Sequence, residues 1–219
     1  MKDKTVGILG GMGPEATIDL FARIVKHTHA KKDDDHLRII IDNNPKMPSR
    51  QDAILKGGES PVPAMRETAR NLERAGADFI IIGANTPHYF YDEIKDAVRI
   101  PFLHIIEEAV KANINMIATG VIMRDNENFY RKLIEIVEEG QGECLLVYLT
   151  ATKEVVNNRI DSDSRKELKK ISTLEKLNEW TRQYPESYEK IQYGKQIAID
   201  TSNVSAVVVA EQIREKYKL

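Results

Sequence analysis

Strand-sized apolar runs alternate with helix-period stretches along this 219-residue chain, and that alternation constrains its fold more than any other feature. The runs at residues 5–9, 38–42 and 78–83 are short and rich in Ile, Val and Leu. Between them, residues 15–28 and 63–75 carry apolar side chains at helical spacing. Strands buried on both faces read as uninterrupted apolar runs, which is the mark of parallel sheets. The pattern therefore predicts an α/β fold whose mainly parallel sheet is flanked by helices on both faces, a Rossmann-like or flavodoxin-like three-layer arrangement. A helix over 89–98 and a strand over 101–105 extend it. Beyond about residue 107 the alternation loosens, with a strand at 116–122, a helix at 126–139 and a strand at 144–150. Polar helical sequence with solvated charged faces fills 157–193, and a last strand at 196–199 precedes a closing helix at 205–216.

Charge is nearly balanced, with 32 Lys and Arg against 34 Asp and Glu for a net of -2. No basic field points to nucleic acid, so any anion must be held by a local site. The apolar runs are strand-sized and fall well short of the ~20 residues that span a membrane. A strand and glycine turn occupy the segment where a secretory leader would lie, so a cytoplasmic setting is expected. Cys144 is the one cysteine, which excludes a disulfide framework or a multi-thiolate metal site within one chain. His27 and His29 sit two apart on a helical segment and point to different faces, so no metal is expected. No cofactor motif is present either.

In parallel α/β sheets ligands collect at the carboxyl ends of strands, which directs attention to three loops. The first, Gly10-Gly11-Met12-Gly13-Pro14, packs three glycines into a strand-to-helix turn where main-chain N–H groups can approach an anion. Its spacing completes neither a Walker A loop nor a GxGxxG fingerprint. The second, Asn43-Asn44-Pro45-Lys46-Met47-Pro48-Ser49-Arg50, is stiffened by two prolines and ends in a guanidinium able to grip a carboxylate. An exposed arginine capping a turn is the alternative for Arg50. The third, Gly83-Ala84-Asn85-Thr86-Pro87-His88, places Asn85 and Thr86 where they can cap a helix or bind a ligand. His88 is either a titrating base or a packing residue at the helix start.

Gly7 through Pro14, Asn43-Asn44-Pro45 with Arg50, and Asn85 through Phe90, in this order and spacing, resemble the cofactor-independent aspartate/glutamate racemase family. The resemblance covers about residues 1–108. It implies a substrate pocket for a small acidic amino acid lined by Met12, Gly13, Asn44, Arg50, Asn85 and Thr86. It also implies two domains that each present one cysteine, and it allows a homodimer formed through the first. The family's first cysteine falls at Ala84, whose methyl group accepts no proton. Its second, at a strand end, would fall at Leu149, while Cys144 lies at the start of that strand. Racemase activity is therefore expected to be absent or altered.

From about residue 113 another likeness competes. Residues 146–152 with Arg159 and Arg165, and 199–202 with the helix after them, resemble the late region of P-loop small-molecule kinases, although no GxxxxGK[ST] segment exists anywhere in the sequence. Three parts are expected: a racemase-like half at 1–112, a divergent half at 113–195, and a closing strand and helix at 196–219. Two readings stay open at this point. One is a racemase-like protein with a shortened second half. The other is a non-catalytic chimera joining a racemase half to a kinase half.

Overall fold

The chain is an α/β protein, described here from a computed structural model over residues 3–118, 127–160, 162, 171–183 and 193–217. It divides into two compact units, Met1–Thr119 and Gly120–Leu219. In the first, β1 (Val6–Gly10) leads through a glycine turn into α1 (Pro14–His27), and β2 (Ile39–Asn43) into α2 (Arg50–Lys56) and α3 (Val62–Arg74). Then β3 (Phe79–Ile82) passes through a 3₁₀ turn at Thr86–Phe90 into α4 (Tyr91–Ile94), and the unit closes with α5 (Ile105–Lys111).

The sheet has the order β2-β1-β3, parallel throughout, with Leu9 level with Asp42 on one side and Ile82 on the other. Because crossovers are right-handed, stepping from β1 out to β2 and back across to β3 places α1 and α3 on opposite faces. The faces differ in how they are filled. Met65, Thr68, Ala69 and Leu72 recur at helical spacing on α3 and are buried, closing a core with Leu9, Ile80 and Ile82. Val6 and Ile8 alternate to the other side, where α1 packs on β1.

In the second unit β4 (Leu145–Thr150) pairs in parallel with β5 (Lys195–Asp200). Around them lie α6 (Glu127–Glu139), α7 (Lys153–Arg159), α8 (Leu174–Gln183) and α9 (Ala206–Tyr217). Ile134, Ile160, Ile199 and Val209 are its buried apolar side chains among the described residues. No helix among those residues is long and apolar enough to cross a membrane.

Several elements depart from the sequence expectation. The strand predicted at 101–105 is a single parallel bridge between Phe102 and Ile80, because Pro101 lacks an N–H and His104 already caps α5. The helix predicted at 89–98 is a 3₁₀ turn, one helical turn and a second 3₁₀ turn. Helix α2, unforeseen, starts within the second loop. Residues 116–118 carry no strand, and the rest of the one predicted at 116–122 lies outside the described residues. So do parts of the polar stretch at 157–193, including Arg165.

Candidate functional site

Register brings the three loops to one edge of the first sheet, since Gly10 pairs with Asn43 and Leu9 with Ile82. Gly11 holds the first two together. It adopts φ +92, and a Cβ there would lie 2.3 Å from the Asn44 main chain, so only glycine fits. The Gly11 amide, one candidate for cradling an anion, instead donates to Thr17 Oγ1 at 3.0 Å, and that hydroxyl donates on to the Gly13 carbonyl at 3.2 Å. Gly13 caps α1 ahead of Pro14, and the space beside it is open.

The second loop turns into α2 by its own chemistry. Ser49 is the N-cap, its hydroxyl accepting from the Asp52 amide at 3.2 Å, and Gly57 ends the helix at φ +61. That cap sets Arg50 as the first residue of the helix. Its Nη2 donates to the Met12 carbonyl at 3.2 Å, while its Nε is buried with no hydrogen-bond partner among the described residues. Burial pulls the guanidinium below its ordinary value. The Asn44 side chain is tied down, donating to Thr68 Oγ1 at 3.4 Å and accepting from the Lys46 amide at 3.0 Å.

Helix α2 packs against the Thr86–Phe90 turn, which draws the third loop to the same edge. Ala84 is half-buried, Asn85 exposed and Thr86 half-buried. Asn85 stands at the N-cap position without a side-chain cap bond. His88 is buried, its Nδ1 2.8 Å from the Ala84 carbonyl oxygen and its Nε2 accepting from the Ile105 amide at 3.4 Å. Burial and the adjacent His104 push it down to about 4. Both nitrogens are thus engaged by main-chain groups.

Of the expected pocket residues, then, Arg50 is tied to the Met12 carbonyl, and Asn44 to Thr68 and Lys46. Gly13, Asn85 and Thr86 share the edge, and Ala84 supplies no titratable group. Sequence reasoning missed Thr68 and His104. The His104 ring is buried with an Nδ1 that has no partner among the described residues, and only its place after an apolar run hinted at a strand-end position.

In the second unit Leu149 lies inside β4, which runs to Thr150, and is 60% exposed. Cys144 precedes β4 at its amino end, and burial together with Glu138 pushes its thiol up. Arg159 is committed to main chain and hydroxyl, donating to the Thr201 carbonyl at 2.6 Å and to Thr201 Oγ1 at 3.2 Å. Among the described residues no group of three or more His, Cys, Asp or Glu converges as a metal site would.

Residues 9–123 match the family described as Asp/Glu/hydantoin racemase. The chain is 30% identical over 142 residues to the broad specificity amino-acid racemase RacX of Bacillus subtilis, covering 63% of this chain and 62% of that protein. Among solved structures it is similar to aspartate racemase of Picrophilus torridus, with 25% identity and a TM-score of 0.50 over 89% of this chain and 62% of the other. An aspartate racemase homologue of Pyrococcus horikoshii is 19% identical, with a TM-score of 0.44 over 98% of this chain and 69% of that one. The chain thus spans about three fifths of the length of the racemase of Bacillus subtilis and of that of Picrophilus torridus.

Proposed function

Because the chain belongs to the Asp/Glu/hydantoin racemase family, we propose that its first unit recognises the carboxylate of a small acidic amino acid, with proton transfer absent or altered for want of a thiol at Ala84. The observation that carries this reading is Arg50. Its Nη2 is anchored on the Met12 carbonyl while its buried Nε has no partner among the described residues, which leaves a donor for an anion. A buried guanidinium nitrogen left without an acceptor costs stability, and a carboxylate is the acceptor whose geometry suits it. Gly13, with open space beside it, and Asn85 and Thr86 complete the proposed lining.

Abstraction of an α-proton needs a base within hydrogen-bond reach. Position 84 carries a methyl group, and His88, the nearest titratable group along the loop, is held neutral with both nitrogens occupied. The geometry therefore supports binding over turnover. A cytoplasmic setting and a homodimer formed through residues 1–112 belong to the same proposal, and light scattering of the purified chain checks the dimer.

The test is calorimetric titration with aspartate and glutamate, together with solvent-deuterium incorporation at their α-carbon. The expected result is binding without exchange, and binding weakened ten- to a hundredfold by Arg50→Gln, the ~1.5–3 kcal/mol of a hydrogen bond to a charged group. Exchange by the unmodified chain would sink the binding reading. A second reading is a non-catalytic chimera that joins the racemase half to a kinase-like segment at residues 113–195. On that reading an Ala84→Cys chain also exchanges nothing.

A further inference from the structure

His88 is 4% exposed and both ring nitrogens meet main chain, the Ala84 carbonyl oxygen at 2.8 Å from Nδ1 and the Ile105 amide at 3.4 Å from Nε2. A carbonyl only accepts and an amide N–H only donates. The two partners therefore leave one tautomer, neutral, with the proton on Nδ1. The ring bridges the loop after β3 and the first residue of α5, two segments far apart in sequence.

The rest of its surroundings make a buried post under the loop. His104 packs edge-on against it at 4.8 Å between ring centroids, and Tyr91 packs edge-on against His104 at 4.8 Å. The Tyr91 hydroxyl donates to the Phe102 carbonyl at 2.6 Å. Of the charged groups nearby, Glu107, Glu108 and Lys111 on α5 and Lys95 beside α4 act on Tyr91, and among the described titratable groups His104 is the one that acts on the His88 ring. Strand β3 ends at Ile82, so the carbonyl at 84 lies beyond the sheet ladder and takes its partner from the imidazole.

We propose that His88 is a positioning residue: as a neutral Nδ1–H imidazole it fixes the Ala84 carbonyl relative to the Ile105 amide, and so sets the geometry in which position 84 meets a ligand. This rests on the reading of position 84 as part of the pocket, but its test uses no ligand, so the two fail separately.

Two measurements on the full chain test it. In the first, nitrogen-correlated NMR of the imidazole rings, with His88→Gln to assign the signal, reads the tautomer. The Nδ1–H form, unchanged from about pH 8 to about pH 5.5, is expected. An Nε2–H form, or titration near the ordinary ~6.5, overturns the proposal.

In the second, Ala84→Cys is alkylated with iodoacetamide across pH, giving the thiol pKa and the thiolate rate. Adding His88→Asn, whose amide nitrogen can stand at the Nδ1 place and donate to the same carbonyl, is expected to keep both within about twofold. Adding His88→Leu, which removes the donor, is expected to change the rate at least about fivefold through misplacement of the loop. Urea midpoints of the two variants separate stability from positioning. Equal profiles for Asn and Leu overturn the proposal, and if the Leu chain does not fold, the NMR result and the Asn profile still decide it.

Discussion

A histidine kept neutral by burial makes stability depend on pH with a definite sign. His88 is held near 4 in the folded chain and returns to about 6.5 when unfolded, so as pH falls the unfolded chain takes up the proton first. Stability contributed by the neutral ring is therefore intact above about pH 6.5 and is lost as pH falls toward about 4, by up to about 3 kcal/mol. His104, lowered by burial, pushes in the same direction. Urea unfolding at about pH 7.5, 5.5 and 4.5 is expected to give midpoints that fall with pH, and His88→Gln is expected to flatten the decline. Arg50 is the contrasting residue, charged at every accessible pH, so aspartate binding is expected to be pH-independent between about 6 and 9 in the same calorimetry.

At the level of elements, the glycine turn is held more tightly than an anion cradle needs to be. Gly11→Ala forces a Cβ into the Asn44 main chain at a positive φ, which cannot be relieved by a side-chain rotation. It is expected to cost more than about 3 kcal/mol in urea unfolding, or to prevent folding. Thr17→Val keeps the shape and removes the acceptor for the Gly11 amide, with an expected loss of about 1–3 kcal/mol. The strands β1, β2 and β3 and helices α1 and α3 were legible within a residue or two, because apolar periodicity records burial directly. Helix α2 was not, since its seven residues follow a proline-rich loop and its start depends on the Ser49 cap. Nor was the break-up of 89–98, where the Thr86–Phe90 turn and the Tyr91 bond to Phe102 fix the path locally.

On the scale of the whole molecule the two units differ in how much they bury. The first closes a cluster including Leu9, Met65, Leu72, Ile80 and Ile94, each at 1% exposure or less, whereas β4 of the second has no buried position and β5 has one. Two strands, the number that pair there among the described residues, have little stability of their own. In native-state hydrogen exchange of the full chain, amides of β1 and β3 are expected to be the slowest and those of β4 and β5 to exchange earlier, with a separate and lower opening free energy. Equal protection of both sheets would count against that ordering.

The sequence by itself determined the parallel α/β class, the three loops and the methyl group at position 84, because strand periodicity, glycine turns and side-chain identity are local properties. Only the tertiary structure decided which donors remain for a ligand. The Gly11 amide goes to Thr17, the Asn44 side chain to Thr68 and Lys46, and the His88 ring to Ala84 and Ile105, while the Arg50 Nε has no partner among the described residues. Where a partner comes from another segment, as Thr68 does for Asn44, Ile105 for His88 and Met12 for Arg50, at separations of 24, 17 and 38 residues, no local pattern records how the segments meet.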